Sequence, residues 1–220
     1  MTPQKAITAL SLIDNSVTEY CEACSGTEPE ICIRVRKAAE SHPKAHWISG
    51  PLVGSLLQIL IKMLRAKHIL DIGTFFGYSA AYMAVTARDV LVTTVDINIE
   101  HSNRAAEILS QDPVGEQITF VTDKIENWLL QNSNSFDMIF FDSDKHEVDR
   151  LYAPLIRILN PGGVLVLDNA LGRKKVIEPV SQWQVSTDRF NRQAAMDESV
   201  LSTLLPVRDG LLLVLKPAYD

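Results

Sequence analysis

The sequence predicts an α/β fold in which helices cover a mostly parallel sheet. Between residues 68 and 168, five apolar, strand-like runs alternate with stretches of helical periodicity. Within Val200–Lys216, two further apolar runs are separated by Arg208-Asp209-Gly210, and Asp-Gly between strands signals a tight hairpin. We therefore expect an antiparallel last strand on a doubly wound, otherwise parallel sheet.

The composition is that of a single soluble domain. The chain has 220 residues, of which 46% are hydrophobic and 22% charged, enough apolar material for one core. Its net charge of −6 and the lack of a long basic run argue against a large nucleic-acid interface. No apolar run approaches the roughly 20 residues that span a bilayer, and three clustered cysteines suit a reducing compartment. We expect a cytoplasmic protein with no membrane partner.

Two segments differ in pattern. Residues 1–46 are predicted to form an N-terminal helical extension, and residues 47–220 the α/β domain. Pro51–Arg65 has apolar residues at helical spacing and predicts an amphipathic helix. The predicted strands that follow are His68–Ile72, Leu91–Asp96, Ile118–Thr122, Met138–Asp142 and Gly163–Asp168.

Four of the five predicted strands carry an aspartate at or near the carboxyl end. In an open parallel sheet, ligands bind beyond the carboxyl ends of the strands. One such aspartate is explained by capping of the next helix, but four in the same position indicate a shared crevice. They are Asp71, Asp96, Asp142 and Asp168.

A glycine-rich loop, DIGTFFGYS at residues 71–79, follows the first strand and opens a helix. Phe75 breaks the G-x-G-x-x-G pattern of dinucleotide sites, and the Gly-Lys-Ser/Thr of a P-loop is absent. An acid followed by G-x-x-x-G, here with Gly73 and Gly77, is the pattern with which methyltransferases bind the methionine end of their cofactor. Asp96, at the end of the next strand, can accept hydrogen bonds from both ribose hydroxyls.

A second cluster of polar residues closes two later strands. Asp142, Asp168 and Asn169 can present two carboxylates and an amide oxygen to one point. These hard oxygen ligands suit Mg²⁺ or Ca²⁺, and a cation there lowers the pKa of a bound hydroxyl. Lys145 is placed to take the proton, with a pKa that we expect to fall near the metal.

Taken in order, the motifs resemble those of the cation-dependent O-methyltransferases, the group that includes the catechol and caffeoyl-CoA enzymes. The motifs are DIGTFFGYS, VDIN, FFDSDK, LDNAL and LPVRDGLLL, and they extend over residues 48–216. The resemblance implies a seven-stranded doubly wound sheet, S-adenosylmethionine as cofactor, a divalent cation and a homodimer.

The resemblance also implies roles for individual residues. Lys145 matches the catalytic lysine, assisted by Asp142, and the metal ligands are Asp142, Asp168 and Asn169. Lys124 falls where relatives often carry a small residue beside the adenine. The implied cofactor-binding residues are Ser49, Asp71, Gly73, Thr74, Phe75, Gly77, Tyr78, Ser79, Asp96, Ile97, Lys124 and Asp142.

The chain departs from the family pattern at two places. After Asp-Asn, relatives of the caffeoyl-CoA type carry a leucine-tryptophan pair and glycines, whereas this chain has ALGRKK at residues 170–175. In the family this segment borders the acceptor, so the resemblance does not identify the acceptor of this chain. The Gly-Asp-Gly near the family's C-terminus is Arg208-Asp209-Gly210 here, a change that we expect the turn to survive.

The function predicted from the sequence is metal-assisted methyl transfer from S-adenosylmethionine to a hydroxyl of a small, catechol-like acceptor. Two alternatives stay open: methylation of a hydroxylated tRNA uridine, and cofactor binding without catalysis. The tRNA alternative depends on basic residues that could contact phosphate, namely Arg173, Lys174, Lys175, Arg189 and Arg192.

Cysteine and histidine spacing near the N-terminus suggests one further site. Cys21-x-x-Cys24 and His42-x-x-x-His46 loosely resemble a zinc finger, although the stretch between the pairs exceeds the usual ~12–15 residues. Thiols without a metal are the simpler interpretation. The three tryptophans, Trp47, Trp128 and Trp183, could line an acceptor pocket, but such residues more often serve as packing anchors, and we assign them no role.

Overall fold

Seven strands form one mixed sheet in the computed structural model, which describes residues 14–218. The strands are β1 (His68–Ile72), β2 (Leu91–Asp96), β3 (Ile118–Thr122), β4 (Phe136–Phe141), β5 (Leu159–Asp168), β6 (Leu201–Leu205) and β7 (Leu211–Leu215). Their order is β3-β2-β1-β4-β5-β7-β6. β1 to β5 are parallel, and β7 runs antiparallel to β5 and β6. The predicted doubly wound fold with an antiparallel last strand is confirmed.

Helices connect the strands and cover the sheet. They are α1 (Asn15–Ala23), α2 (Glu30–Ala39), α3 (Gly50–Leu64), α4 (Tyr78–Ala84), α5 (Ile99–Leu109), α6 (Ile125–Gln131), α7 (Tyr152–Ile158) and α8 (Gln182–Met196).

The sheet separates two hydrophobic cores. Successive side chains of a strand point to opposite faces, so Ile69 of β1 lies in one core and Leu70 in the other. The first core includes residues of α2, α3, α4 and α5. The second includes residues of α6, α7 and α8. Because both faces are covered, the central strands carry buried apolar residues on both sides.

The described part of the N-terminal segment is helical and packs on the domain. In α2, Ile31, Cys32 and Val35 are buried in the same core as β1. A short 3₁₀ turn at Ala45–Trp47 then leads into α3. Residues 1–13, the beginning of the predicted extension, lie outside the described residues.

α3 begins and ends one residue before the predicted bounds. Arg65 closes it in the left-handed conformation, with φ 53°. Residues 45–64 are long and apolar enough to cross a membrane, a property that core helices share. Here Leu57 and Ile61 are buried in the first core.

The connection between β6 and β7 differs from the predicted tight hairpin. It is a five-residue loop, 206–210, between the paired residues Leu205 and Leu211. The carbonyls of Asp209 and Gly210 accept hydrogen bonds from the backbone N–H groups of residues 171 and 170. The loop is therefore held against the segment after β5, and a two-residue turn would not reach it.

Candidate active site

A cavity of about 800 Å³ opens at the carboxyl ends of the parallel strands. Loops that follow β1, β2, β4 and β5 line it, together with the segment before α3 and the β6–β7 loop. The position agrees with the crevice expected for a doubly wound sheet. The predicted site residues that line it are Ser49, Gly73, Thr74, Phe75, Tyr78, Ser79, Asp96, Ile97, Asp142, Lys145, Asp168 and Asn169.

Three predicted site residues do not line this cavity. Asp71 is fully buried behind the glycine loop, and Gly77 packs against α5. Lys124 is exposed at the start of α6, where its N–H is bonded to the carboxylate of Asp123. The cavity therefore gives no support to a cofactor contact by Lys124.

The glycine loop needs both glycines for packing reasons. Gly73 has φ 110°, and a side chain there would collide with the backbone carbonyl of Asp142. Gly77 has φ 79°, and a Cβ would lie 2.8 Å from Cδ1 of Leu109. These positive φ values favour glycine. The missing side chain of Gly73 lets the loops after β1 and β4 touch, and that of Gly77 lets the glycine loop pack against α5.

Asp71 supports the glycine loop from beneath. The Thr94 hydroxyl donates to its carboxylate at 2.7 Å, and the Thr74 hydroxyl lies 2.8 Å from that of Thr94. Burial raises the pKa of Asp71 to about 7, opposed by hydrogen bonds from Thr94 and Ser79 and reinforced by the nearby charge of Asp142. Asp71 thus anchors the loop through hydroxyl groups.

Asp96 faces the cavity and organises its neighbours. Its carboxylate accepts hydrogen bonds from the N–H of Phe75 at 3.1 Å and of Asn98 at 2.8 Å. Nδ1 of His101 lies 3.2 Å from Oδ2 of the same carboxylate. The rings of Phe75 and His101 meet edge to face, with centroids 5.2 Å apart. One acid therefore holds the glycine loop and the first turn of α5 together.

The carboxylates of Asp142 and Asp168 face the same part of the cavity. Asp168 is 1% exposed, and burial and the charge of Asp142 raise its pKa, while Arg208 and Lys145 lower it. Its Oδ1 accepts the Asn169 N–H at 2.7 Å, whereas its buried Oδ2 accepts no hydrogen bond within residues 14–218. Such an orphaned, buried oxygen calls for a cationic partner.

The donor set fits a hard divalent cation. Asp142 and Asp168 supply carboxylates, and Asn169 lines the cavity beside them. Asn169 has φ 55°, a left-handed conformation that asparagine tolerates better than most residues. Two carboxylates and an amide oxygen are typical ligands of Mg²⁺ or Ca²⁺.

Lys145 points into this cluster and is 7% exposed. Its ammonium donates to the carbonyl of Ser143 at 3.0 Å and lies 3.9 Å from Oδ1 of Asp142. The Ser49 hydroxyl donates to the other oxygen of Asp142 at 3.2 Å. A nearly buried amine beside a carboxylate is suited to move a proton at the cavity wall.

The sequence analysis placed several cavity residues in neither the cofactor site nor the metal site. His101 follows Asp96 by five residues, but only the fold of α5 directs it back to the carboxylate. Arg173 and Arg208 come from loops after β5 and before β7. The departure from the family pattern at both arginines was the one available indication. Trp47 and Trp183 also line the cavity, while Trp128 packs against Phe136.

The zinc interpretation is not supported. Within residues 14–218, no three His, Cys, Asp or Glu side chains come together as a metal site. His42 packs against the rings of Phe75 and Phe76. Cys21 and Cys24 are free thiols.

Sequence comparison places the chain among known enzymes. The model of a family described as O-methyltransferase matches residues 22–217. A caffeoyl-CoA O-methyltransferase of Stellaria longipes is 29% identical over 199 residues, 84% of this chain and 82% of that protein. The caffeoyl-CoA O-methyltransferase 1 of Eucalyptus globulus is 28% identical over 200 residues, 84% of this chain and 81% of that protein.

Solved structures show the same fold. The SAH-bound methyltransferase PaMTH1 of Podospora anserina superposes with a TM-score of 0.84 at 24% identity, covering 100% of this chain and 99% of that one. A second structure is that of the O-methyltransferase TomG of Streptomyces achromogenes, involved in tomaymycin synthesis, in complex with SAM. It gives a TM-score of 0.82 at 24% identity and covers 92% of this chain and 96% of that one.

A doubly wound sheet with a glycine loop, an aspartate after the second strand and a carboxylate cluster at its carboxyl edge defines a class I methyltransferase. The chain belongs to the O-methyltransferase family. It is an S-adenosylmethionine-dependent O-methyltransferase, as its motifs predicted.

Proposed function

We propose that this enzyme methylates a hydroxyl of a small, catechol-like acceptor with the help of a divalent cation held by Asp142, Asp168 and Asn169. The observation that carries the proposal is the orphaned, buried Oδ2 of Asp168, which faces the same cavity as Asp142 and Lys145. The guanidinium of Arg208 lies 3.7 Å from this oxygen, beyond hydrogen-bonding distance, so the oxygen keeps lone pairs that could bind a cation.

The cofactor end of the cavity is formed by the loops after β1 and β2. Gly73, Thr74 and Ser79 would hold the methionine part of S-adenosylmethionine, and Asp96 its ribose. Support comes from their common position on the cavity wall and from the network that fixes Asp96. These residues would bind and orient the cofactor at the end of the cavity next to the carboxylate cluster.

The acceptor end is formed by the carboxylate cluster. Asp142, Asp168 and Asn169 would hold the cation, which when bound orients acceptor oxygens and lowers the pKa of a hydroxyl. Lys145 would remove the proton, since its amine lies in the cavity beside Asp142. Alignment and a deprotonated acceptor supply most of what methyl transfer requires.

Titration calorimetry with S-adenosylhomocysteine, in Mg²⁺ and in EDTA, tests the cofactor site. Micromolar binding is expected in both buffers, because the glycine loop and Asp96 lie apart from the metal ligands. Asp168→Ala should then remove Mg²⁺-stimulated turnover of a catechol and largely spare this binding. Equal turnover of the wild-type enzyme in EDTA and in Mg²⁺ would contradict the metal role.

A nucleic-acid acceptor is the second candidate. Arg173, Lys174 and Lys175 are exposed, and Arg173 lines the cavity rim, so a phosphate backbone has a basic contact beside the site. Methylation of tRNA that carries hydroxylated uridine, compared with catechol, separates the two candidates. A neutral 173–175 triple variant should lose only the tRNA activity.

A further inference from the structure

Arg208 places a guanidinium inside the carboxylate cluster. It lies in the β6–β7 loop, and its side chain is 11% exposed. One terminal nitrogen, Nη1, lies 3.7 Å from Oδ2 of Asp168, the oxygen that accepts no hydrogen bond from the described residues. The same nitrogen donates to the carbonyl of Ser49, and Nη2 donates to that of Ile48 at 3.2 Å.

The backbone at this position is strained to hold the side chain there. Arg208 has φ 51°, a left-handed conformation that is unfavourable for a residue with a Cβ. Strained residues of this kind persist where the surrounding structure fixes them, and they concentrate at functional sites. Two carbonyl acceptors and a buried carboxylate fix Arg208.

Asp168 already has opposite charges beside it without an added ion. Asp142 and Asp168 are the two acids, and Lys145 and Arg208 are the two cations that act on Asp168. The nearby carboxylate of Asp209 is engaged by the backbone N–H of Arg173. A divalent cation bound to Asp168 would therefore share one carboxylate with a guanidinium that is almost excluded from water.

We propose that Arg208 is a built-in counter-ion of Asp168, which competes with the divalent cation and lowers the affinity of the site for it. The inference rests on the proposed cation site and adds that this chain binds its cation more weakly than the same ligands would without Arg208. Even when it is screened as strongly as in bulk water, repulsion between a guanidinium and a dication a few ångströms apart changes an affinity by about tenfold or more.

A purely structural role is the competing explanation, since Arg208 also ties the Ile48–Ser49 segment to the loop. Variants that differ in the charge of this side chain distinguish the structural explanation from the proposed one. Arg208→Gln removes the charge but keeps an amide donor and the strained backbone, and Arg208→Lys keeps the charge. Arg208→Gly is a second neutral variant without backbone strain. Arg192→Gln, at an arginine exposed on α8, is the matched control.

The test is Mn²⁺ binding to the purified proteins, followed by the loss of the free-ion signal in electron paramagnetic resonance. R208Q and R208G should bind Mn²⁺ about tenfold or more tightly than wild type, whereas R208K and R192Q should stay near wild type. Adding Asp168→Asn to R208Q should remove the gain in Mn²⁺ affinity. Thermal unfolding confirms that each variant is folded.

Other results overturn the inference in distinguishable ways. Equal Mn²⁺ affinities for wild type, R208Q and R208G, or an equal gain in R208K, would show that the charge of Arg208 does not oppose the cation. If S-adenosylhomocysteine still binds those samples, the methyltransferase assignment stands. Failure of every variant to bind Mn²⁺ would overturn this inference and the cation role together.

Discussion

Asp71 shows how far the environment of one side chain can depart from what its sequence motif suggests. The motif predicts a cofactor contact, yet the carboxyl group lies beneath the glycine loop, bonded to Thr94. Its burial has a measurable consequence for stability, because a group whose pKa differs between the folded and unfolded states makes unfolding depend on pH.

The pKa of Asp71 is raised from 3.8 to about 7 in the folded protein. Between these values the folded state binds the proton more tightly than the unfolded state, so the free energy of unfolding falls as pH rises from about 4 to 7. Relative to Asp71→Asn, wild type should lose roughly 2–4 kcal/mol over this window, at about 1.4 kcal/mol per pKa unit. Urea titrations at several pH values measure it. If the free energies of unfolding of wild type and Asp71→Asn changed with pH in parallel, the prediction would be wrong.

Lys145 is the residue that we propose removes the proton of the acceptor. Lys145→Met should lower kcat about 10²- to 10⁴-fold, the range for loss of a general base. Binding of S-adenosylhomocysteine should be retained, because the amine contacts Ser143 and Asp142 and not the glycine loop. Lys67→Met, at an exposed lysine paired with Asp89, is the control. An unchanged kcat in the Lys145 variant would exclude this role.

At the scale of elements, close packing of α3 against α4 depends on Gly54. A Cβ at this position would lie 2.5 Å from the ring of Tyr82, which is fully buried. The helical periodicity of the sequence predicted α3 almost to the residue. It did not show that a glycine in the middle of that helix is required by a neighbouring helix, because periodicity describes one element at a time.

Whether Gly54→Ala stabilises or destabilises the protein tests this contact. Helix propensity alone would stabilise α3 by about 1 kcal/mol, but overpacking costs about 1–3 kcal/mol, so we expect net destabilisation. In a Tyr82→Leu background the same change should be neutral or stabilising. Ile59→Ala, at an exposed position of α3, should change stability by less than ~0.5 kcal/mol. Denaturant unfolding measures all four variants.

At the scale of the whole molecule, the cavity is where loops from both halves of the sheet meet. A ligand that bridges them stabilises the folded state by mass action, by about 2.7 kcal/mol at 100 times its dissociation constant. For a chain of this size that corresponds to a rise in Tm of roughly 5–10 °C.

S-adenosylhomocysteine should therefore raise the Tm of wild type by this amount, measured by calorimetry. Asp96→Asn removes the charged acceptor and loosens the Phe75 and Asn98 contacts. At the same ligand concentration, the rise in Tm should therefore shrink to about one third of the wild-type rise, a few degrees. An equal rise in both proteins would exclude Asp96 as a ribose ligand. The homodimer implied by the family stays a prediction.

By itself, the sequence determined the strands, the antiparallel last strand, the glycine loop and the order of its motifs, and these were enough to identify the enzyme family. Such features depend on periodicity and short spacing, which are local properties of the chain. The errors in the predicted strand boundaries were also local. β4 begins at Phe136 and β5 at Leu159, each a few residues before its predicted start.

Only the tertiary structure decided which distant residues share the cavity and what surrounds each charge. It brought Arg208 to Ser49, 159 residues away, placed Lys124 outside the cavity lining and left one oxygen of Asp168 buried without a hydrogen-bond donor among the described residues. Burial and electrostatic fields arise from the packing of segments far apart in the chain, so no local pattern of residues encodes them.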